Sequence, residues 1–246
     1  MNVTTGDDGE NNALATVRLK GGLILYDPTR VDQPGPAFFD AEAWCASGQA
    51  EPADRGRGSA WFLDTEDGWV LRHYRRGGLV ARFNRDQYLF FGYPRSRPLR
   101  EIRLLARMRA QQLPVPAPVA AAVWRSGLCY RGDLITGRVP GRPLSARLNE
   151  LDDPRLWARL GELIRRFHEQ GVDHADLNLH NILLADDGAL HLIDFDRGRI
   201  RPSGRWQRRN LERLQRSLRK CLGARWQEEP HWRQCWLALE KAWAKV

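Results

Sequence analysis

Two aspartates and one asparagine lie close together along the chain, at a spacing that suggests a shared function. Asp176 and Asn181 are five residues apart in the stretch VDHADLNLHNILL, and Asp194 follows thirteen residues later in LIDFD. The segment NILLADDGALHLIDFD predicts a β-hairpin that turns at Asp187-Gly188 and returns Asp194 to the neighbourhood of Asn181. We therefore expect two carboxylates and one side-chain amide to converge.

Such a set of oxygen atoms suits phosphoryl transfer. Two carboxylates at close range repel each other unless a cation lies between them or they have different functions. Mg²⁺ prefers oxygen ligands of this kind and is usually held by one or two carboxylates together with substrate phosphates. We predict that Asp176 accepts the proton of an attacking hydroxyl while Asn181 and Asp194 hold the metal. The alternative is an Asx-rich turn beside an ordinary hairpin.

The elements that position these residues follow from hydrophobic periodicity and turn residues. Residues 1–18 are predicted to be a flexible tail, residues 19–137 a β-rich lobe with one helix, and residues 138–246 a helix-rich lobe. The Gly- and Pro-rich segment GRVPGRP marks the boundary between the lobes. Ser96 is predicted to cap the helix of the first lobe, and Asp153 the helix before the polar stretch. The fold class is therefore α+β.

The composition excludes several classes of protein. Hydrophobic residues make up 42% and charged residues 28% of the 246 positions, which indicates a folded soluble chain and not a disordered one. The N-terminal MNVTTGDDGENN has no signal-peptide pattern, and the longest apolar run, VAAAVW, is too short to cross a bilayer. The four cysteines form no C-x-x-C pair, so we expect reduced thiols and no zinc site.

Positive charge is concentrated in the last fifth of the chain. The net charge is +9, and residues 199–246 contain thirteen Lys and Arg against four Asp and Glu, so the remaining residues balance to zero. A basic surface of this kind predicts an anionic partner, which would be nucleic acid, a membrane face or a phosphorylated substrate. No RNP, zinc-finger or helix-turn-helix pattern accompanies it, so we do not expect nucleic-acid binding.

The polar stretch and its neighbours resemble a known pattern. HADLNLHN followed by IDFD resembles the catalytic loop and metal-binding turn of the protein-kinase-like fold, H-x-D-x-x-x-x-N and then D-F-x. More narrowly, LRHYRRGGLVARFNRDQYLF, REIRLL, LPVPAP, LIDFDRGR and NLERLQRSLRK are similar to the lipopolysaccharide core kinase family. That family includes kinases of 3-deoxy-D-manno-octulosonic acid (Kdo) and of heptose. The similarity extends from roughly Gly56 to Lys220.

This resemblance implies a bilobal protein-kinase-like fold, with a small β-rich N-lobe and an α-rich C-lobe, that uses ATP and Mg²⁺. It also implies phosphorylation of a hydroxyl of the Kdo sugar, expected to be the 4-OH, on a lipid A precursor. The enzyme would act peripherally on an anionic membrane, at the cytoplasmic face of the inner membrane of a Gram-negative bacterium, without an obligate protein partner. The alternatives are a kinase of heptose or of another small molecule, or a catalytically silent nucleotide-binding regulator.

The resemblance assigns nucleotide-binding roles to four residues of the first lobe. Gly56 and Gly58 in RGRGSAWF would let backbone N–H groups approach the phosphates, although a third glycine is missing. Arg72 in WVLR stands where protein kinases usually have a lysine, and its guanidinium can also bind phosphate oxygens. Glu101 is its expected partner, because an inward-facing carboxylate needs a cation; a local pair with Arg97 is the alternative.

Three further residues are candidate contacts of the acceptor. Arg75 and Arg76 would bind its acidic groups, unless they form only a solvated turn. His180 lies beside Asn181 and would contact the substrate, unless it is an exposed loop histidine without a role. His174, by contrast, is expected to be buried and to support the catalytic loop.

Overall fold

The computed structural model describes three ranges of the chain: residues 14–53, 60–75 and 86–245. They form two compact units. The first contains the described residues up to Gln111 together with Pro116–Arg138, and the second contains Gln112–Val115 and the chain from Val139 onward. The first unit is rich in strands and the second in helices, which confirms the predicted α+β class.

An antiparallel sheet of eight strands dominates the first unit. The strands are β1 (Ala15–Leu19), β2 (Gly22–Tyr26), β3 (Ala50–Pro52), β4 (Ala60–Leu63), β5 (Trp69–His73), β6 (Tyr88–Leu89), β7 (Pro118–Ser126) and β8 (Cys129–Gly137). Their order is β1-β2-β7-β8-β5-β4-β3, and β6 pairs with the first residues of β8. The strand that carries Arg72 therefore lies inside the sheet, between β4 and β8.

Strand β1 corrects one prediction. Residues 1–18 were expected to form a tail, whereas Ala15–Leu19 is a strand; residues 1–13 lie outside the described ranges. Ala15 and Val17 are buried while Arg18 is exposed, which is the alternation of a strand with one buried face. Val17 pairs with Ile24 of β2, so β1 covers the edge of a strand that is apolar throughout.

Two helices complete the first unit, α1 (Ala41–Ala46) and α2 (Arg97–Ala110). The predicted side-chain cap of α2 is wrong. Ser96 occupies the N-cap position, but its Oγ donates to the carbonyl of Tyr93 (2.6 Å) in the preceding turn. This bond replaces the one that the hydroxyl would form with the first turn of the helix. The inward face of α2 carries apolar residues such as Ile102 and Leu105, and with them the buried Glu101.

Four helices form most of the second unit: α3 (Pro154–Glu169), α4 (Arg205–Leu222), α5 (Arg225–Glu228) and α6 (His231–Trp243). Asp153 caps α3 as predicted, because its Oδ1 accepts from the N–H of Arg155 (2.8 Å). Helix α6 packs closely on α3: a Cβ at Gly161 would lie 2.3 Å from the carbonyl oxygen of Leu239. The approach of the two helices therefore requires glycine at this position.

Short strands surround the polar stretch: β9 (Arg142–Pro143), β10 (Val172–Asp173), β11 (Ile182–Leu184), β12 (Leu190–Leu192) and β13 (Arg199–Ile200). Strands β11 and β12 form the predicted hairpin, with Asp187 and Gly188 (φ 82°) in its turn. Strand β10 pairs with β13 in the register Val172↔Ile200. The chain before Asp176 and the chain after Asp194 are thereby held side by side.

Helix α4 separates apolar from charged residues, as its sequence predicts. Its leucines at i, i+3, i+7 and i+11 are buried: Leu211, Leu214, Leu218 and Leu222. The C-terminal tryptophans divide into two groups, since Trp206, Trp232 and Trp236 are buried, whereas Trp226 and Trp243 are half-buried. Across the described ranges, the length and apolar character needed to span a bilayer are found in no helix.

Candidate active site

The loop between β10 and β11 is built around an Asx turn. The side chain of Asn178 accepts from the N–H groups of His180 (2.8 Å) and Asn181 (3.2 Å), and its Nδ2 donates to the carbonyl of Asp176 (3.0 Å). Local side-chain bonds of this type replace the backbone pairing that a loop lacks. The backbone at Asp176 is therefore fixed while its side chain remains exposed to solvent.

Asn181 connects this loop to the hairpin. Its side chain is buried, and Nδ2 donates to the carbonyl of Asp176 (3.0 Å), which directs the amide oxygen to the other side. Its backbone carbonyl accepts from the N–H of Ile193 (3.0 Å), the residue before Asp194. The three predicted residues are thus joined, Asn181 being bonded both to Asp176 and to the neighbour of Asp194.

Asp194 lies directly after the hairpin in an uncommon backbone conformation. Its φ is +63°, which few residues other than glycine adopt, although Asp tolerates it better than most. His174 holds the residues on either side: its Nε2 donates to the carbonyl of Ile193 (2.9 Å), and its ring lies 4.5 Å from that of Phe195. The left-handed conformation of Asp194 is therefore stabilised by a buried histidine.

The charges of Asp176 and Asp194 both affect the pKa of His174. Burial lowers the pKa of His174 below its ordinary value, while hydrogen bonding and the charges of Asp194 and Asp176 act in the opposite direction. The net direction is downward, so the imidazole is neutral and donates through Nε2. Both carboxylates are close enough to influence the same ring, as expected if they converge on one site. His174 is packed and supportive, as predicted.

A buried polar cluster below the loop was not anticipated from the sequence. Asp173 accepts from Asn210 Nδ2 (3.0 Å) and from Arg201 (3.0 Å), and Asn210 Oδ1 accepts from the N–H of His174 (3.2 Å). Burial raises the pKa of Asp173, but the bonds from Asn210 and Arg201 and the charge of Arg199 outweigh it, and the pKa is lowered. The signal in the sequence was an aspartate directly after Val172, close to the polar stretch.

The donor set agrees with a metal held jointly with phosphates. Within residues 14–53, 60–75 and 86–245, no three His, Cys, Asp or Glu side chains are grouped closely enough to bind a metal alone. Magnesium in phosphoryl-transfer sites needs fewer protein ligands, because phosphate oxygens and water complete its shell. An oriented amide oxygen on Asn181 and a partly exposed carboxylate on Asp194 fit that requirement.

In the first unit, the predicted pair of Arg72 and Glu101 is confirmed. Arg72 Nη2 lies 2.5 Å from Glu101 Oε2, and Glu101 is only 3% exposed. Tyr74, two residues along the same strand, donates to the same carboxylate oxygen and accepts from Arg72 (3.2 Å). Burial and the Glu101 charge raise the pKa of Tyr74 well above its ordinary value, so this hydroxyl remains protonated. Sequence reasoning did not identify Tyr74.

Five further residues were predicted to belong to the site. Arg75 is exposed at the end of β5, and His180 is exposed with its Nδ1 2.8 Å from Ser145 Oγ. Gly56, Gly58 and Arg76 lie outside the described residues. A groove of about 560 Å³ was not predicted; it lies among α4, α5 and α6 and is lined by Arg219, Gly223, Trp226, Gln227 and Arg233.

Comparison with known proteins gives consistent similarities. Residues 41–242 match the model of the lipopolysaccharide kinase (Kdo/WaaP) family. A 3-deoxy-D-manno-octulosonic acid kinase of Stenotrophomonas maltophilia (strain K279a) is 46% identical over 221 residues, which cover 87% of this chain and 88% of that protein. The corresponding kinase of Xanthomonas campestris pv. campestris (strain B100) is 44% identical over 230 residues, covering 91% and 92%.

Among solved structures, the kinase PK-1 of the Cydia pomonella granulovirus is similar to this chain with a TM-score of 0.41 and 15% sequence identity. The match covers 63% of this chain and 53% of the viral kinase.

Proposed function

Because this chain belongs to the lipopolysaccharide kinase (Kdo/WaaP) family, we propose that it transfers the terminal phosphoryl group of ATP to the 4-OH of a Kdo sugar on a lipid A precursor. The coarser assignment, a phosphotransferase of the Kdo kinase type, follows from membership itself. The observation that carries the proposal is the bonded arrangement of Asp176, Asn181 and Ile193-Asp194 within this family's matched region.

Each residue of the second unit has a distinct role in this proposal. Asp176 is exposed, and its backbone carbonyl accepts from the side chains of Asn178 and Asn181, so its carboxylate is available to accept the proton of the acceptor hydroxyl. Asn181 and Asp194 would hold Mg²⁺. When bound, the ion would neutralise charge that develops on the transferred phosphoryl group. His174 keeps Asp194 in its left-handed turn and is a positioning residue.

The nucleotide-binding roles are proposed for residues of the first unit. Arg72 is half-buried and held by Glu101 and Tyr74, so its guanidinium is oriented before any ligand arrives. A preoriented cation binds phosphate oxygens without the loss of side-chain entropy that a free arginine would incur. Gly56 and Gly58 are proposed to let backbone N–H groups reach the same phosphates.

The acceptor-binding roles follow from charge. A Kdo sugar carries a carboxylate and lipid A carries phosphates, so cationic side chains would bind both. Arg75 and Arg76 are proposed for this role. His180 is proposed as a further contact, because it lies beside Asn181, is exposed, and is held by a hydrogen bond with Ser145.

We propose that the enzyme acts at the cytoplasmic face of the inner membrane and binds its anionic surface peripherally. One edge of α4 presents four cations at i, i+4, i+7 and i+11: Arg209, Arg213, Arg216 and Lys220. Three of them are exposed and Arg213 is partly exposed. Basic residues near an anionic bilayer contribute roughly 1 kcal/mol each, and the contribution decreases with ionic strength.

The acceptor assignment can be tested directly. The protein is incubated with Mg²⁺ and γ-labelled ATP, first with Kdo-bearing lipid A precursor and then with a heptosylated acceptor, and the label in each is measured. We expect label on the 4-OH of Kdo, located by NMR of the product. Asp176→Ala should reduce the rate by about 10³-fold, which is within the range for loss of a general base.

Asp186→Ala is the matched control, because Asp186 is a fully exposed aspartate on the neighbouring hairpin turn (side-chain exposure 101%). Its rate should equal that of the wild type. If only the heptosylated acceptor is labelled, the proposed acceptor sugar is heptose and not Kdo. ATP binding without label on either acceptor would favour a nucleotide-binding regulator.

A further inference from the structure

Exposed large apolar side chains are concentrated at one end of the sheet in the first unit. Across the described ranges there are four of them, and three lie together: Leu89 (56% exposed), Phe91 (69%) and Leu128 (81%). Leu89 pairs with Cys129 at the start of β8, and the N–H of Phe90 donates to the carbonyl of Leu128 (2.9 Å). We call Leu89, Phe91 and Leu128 the apolar tip.

Leu128 lies in the turn between β7 and β8. Ser126 pairs with Cys129, so Gly127 (φ +58°) and Leu128 form a two-residue turn between β7 and β8. Glycine satisfies the first position of such a turn, and the second position accepts most residues. Leu128 stays 81% exposed there, and together with Leu89 and Phe91 it gives this end of the sheet three exposed apolar side chains, a grouping that marks interaction surfaces.

Aromatic rings pack against one another next to the apolar tip. Tyr88 stacks on Tyr130 at 5.4 Å, and Phe90 contacts Tyr93 at 5.0 Å between ring centroids. Tyr130 also accepts from the N–H of Arg97 at the start of α2 (3.0 Å). By strand alternation Leu89 and Phe91 lie on the face opposite these rings, while Leu128 lies at the turn, so the apolar tip exposes side chains on both faces of this end of the sheet.

Cations border the apolar tip. The guanidinium of Arg125 lies over the ring of Phe90 at 4.9 Å, and its Nε donates to the carbonyl of Gly127 (3.0 Å). Arg131, two residues beyond Cys129, is 57% exposed and bonded to Asp86 (3.1 Å). Arginine placed behind an apolar projection matches the order of layers in a bilayer, where phosphates lie above the acyl chains.

We propose that the apolar tip inserts into the boundary between headgroups and acyl chains of an anionic lipid bilayer, with Arg125 at the level of the phosphates. The choice of a bilayer rests on the proposed function, in which the acceptor is lipid-linked. A second copy of this chain is a poorer fit, because a stable interface buries about 800 Å² per partner and three side chains cannot supply that area.

The test measures bilayer binding without catalysis. The full chain is sedimented with vesicles of phosphatidylcholine and phosphatidylglycerol (3:1) and with phosphatidylcholine alone, in the absence of ATP and acceptor. The variant Leu89→Thr/Phe91→Ser/Leu128→Asn should lower the partition coefficient on the anionic vesicles by about tenfold or more, since three apolar side chains no longer leave water. Leu128→Trp should bind at least as tightly as the wild type.

Leu237→Ser is the matched control, because Leu237 on α6 is the fourth exposed apolar side chain (62%). It should leave the partition coefficient unchanged. The proposal is overturned if the triple variant binds like the wild type, if Leu237→Ser causes an equal loss, or if the wild type self-associates in sedimentation velocity and the triple variant does not.

Thermal unfolding shows whether the triple variant folds. If it does not, Leu128→Asn is tested alone, because asparagine is a favoured turn residue, and the partition coefficient should fall by about threefold. Asp176→Ala, which removes the proposed catalytic base, should bind vesicles normally, so failure of the kinase assay and failure of vesicle binding are separable outcomes.

Discussion

The two units hold their charged residues in opposite ways. In the first, the paired residues are themselves enclosed: Glu101 is 3% exposed and is bonded to Arg72 and Tyr74 across a strand and a helix. In the second, Asp176 is exposed on a loop, and the enclosed polar residues are those below it, Asp173 and His174. In the first unit, the supporting residue and the residue that it positions belong to one ion pair. In the second unit, the exposed Asp176 is supported by separate, enclosed residues.

The difference has a physical reason. A buried carboxylate loses hydration and is stable only when cations and donors replace the water. Glu101 has such partners, and its role is to orient Arg72. A carboxylate that takes up a proton or a metal must instead remain accessible, so its position has to be set by its neighbours. We therefore expect changes in the first unit to affect stability, and changes in the exposed carboxylates of the second unit to affect rate.

Among the changes that test this contrast, the largest effect is expected at Asp194. Asp194→Asn keeps the shape and the tolerance for a left-handed backbone but removes the charge, so the phosphoryl-transfer rate should fall by about 10²- to 10³-fold. The melting temperature should stay within about 2 °C of the wild type, because the carboxylate is partly exposed. Initial rates and calorimetry measure the two quantities. A large fall in melting temperature would remove the contrast between the units.

A smaller effect, on stability, is expected in the first unit. Arg72→Ala removes the cation bonded to the buried Glu101 and should lower the free energy of unfolding by about 3 kcal/mol. The double variant Arg72→Met/Glu101→Leu should recover most of this stability without recovering activity, since neither charge is left uncompensated. Urea titration measures the difference.

Arg107→Ala is the control for loss of a charge, because Arg107 is exposed on the same helix α2, and its stability should change by about 0.5 kcal/mol or less. A neutral effect of Arg72→Ala would mean that the buried carboxylate is stabilised without Arg72.

The smallest effect is expected at Asp173 and depends on pH. Asp173→Asn weakens the bonds to Asn210 and Arg201 and should cost about 2 kcal/mol at pH 7. Since the pKa of Asp173 is lowered from its unfolded value of 3.8, the stabilisation is complete above that value and is lost as pH falls through the folded-state pKa. The difference between wild type and variant should therefore shrink in acid.

Urea titration at pH 7, 5 and 3 checks the Asp173 prediction. Glu169→Gln breaks an exposed pair with Arg165 and should cost about 0.5 kcal/mol or less at pH 7. A difference for Asp173→Asn that grows in acid would contradict the assigned direction of its pKa.

Several elements were predictable because their signals are local. The turn at Asp187-Gly188 and the cap at Asp153 depend on residues within four positions, and both are confirmed. Ser96 also looked like a cap, but a competing acceptor three residues earlier took its hydroxyl. Four residues of β1, Ala15 to Arg18, were predicted to belong to the tail because the alternation is short and its partner strand was not recognised.

The pairing of Arg72 with Glu101 was inferred across 29 positions, because a family pattern supplied the long-range link that residue types alone leave open. Tyr74 and Asn210 had no such pattern. Each is an ordinary residue in its local context and becomes important only through a partner 27 or 37 positions away.

Residue type and short spacing were enough to predict a phosphoryl-transfer site, because Asp176 and Asn181 belong to one turn and a hairpin that turns at Asp187-Gly188 returns the chain to Asp194. Which buried polar groups support that turn was decided by the fold. Burial places Asp173, His174 and Asn210 in contact, and the cost of leaving any of them unbonded makes those contacts obligatory. Burial is a property of the whole packed chain, and no stretch of sequence specifies it alone.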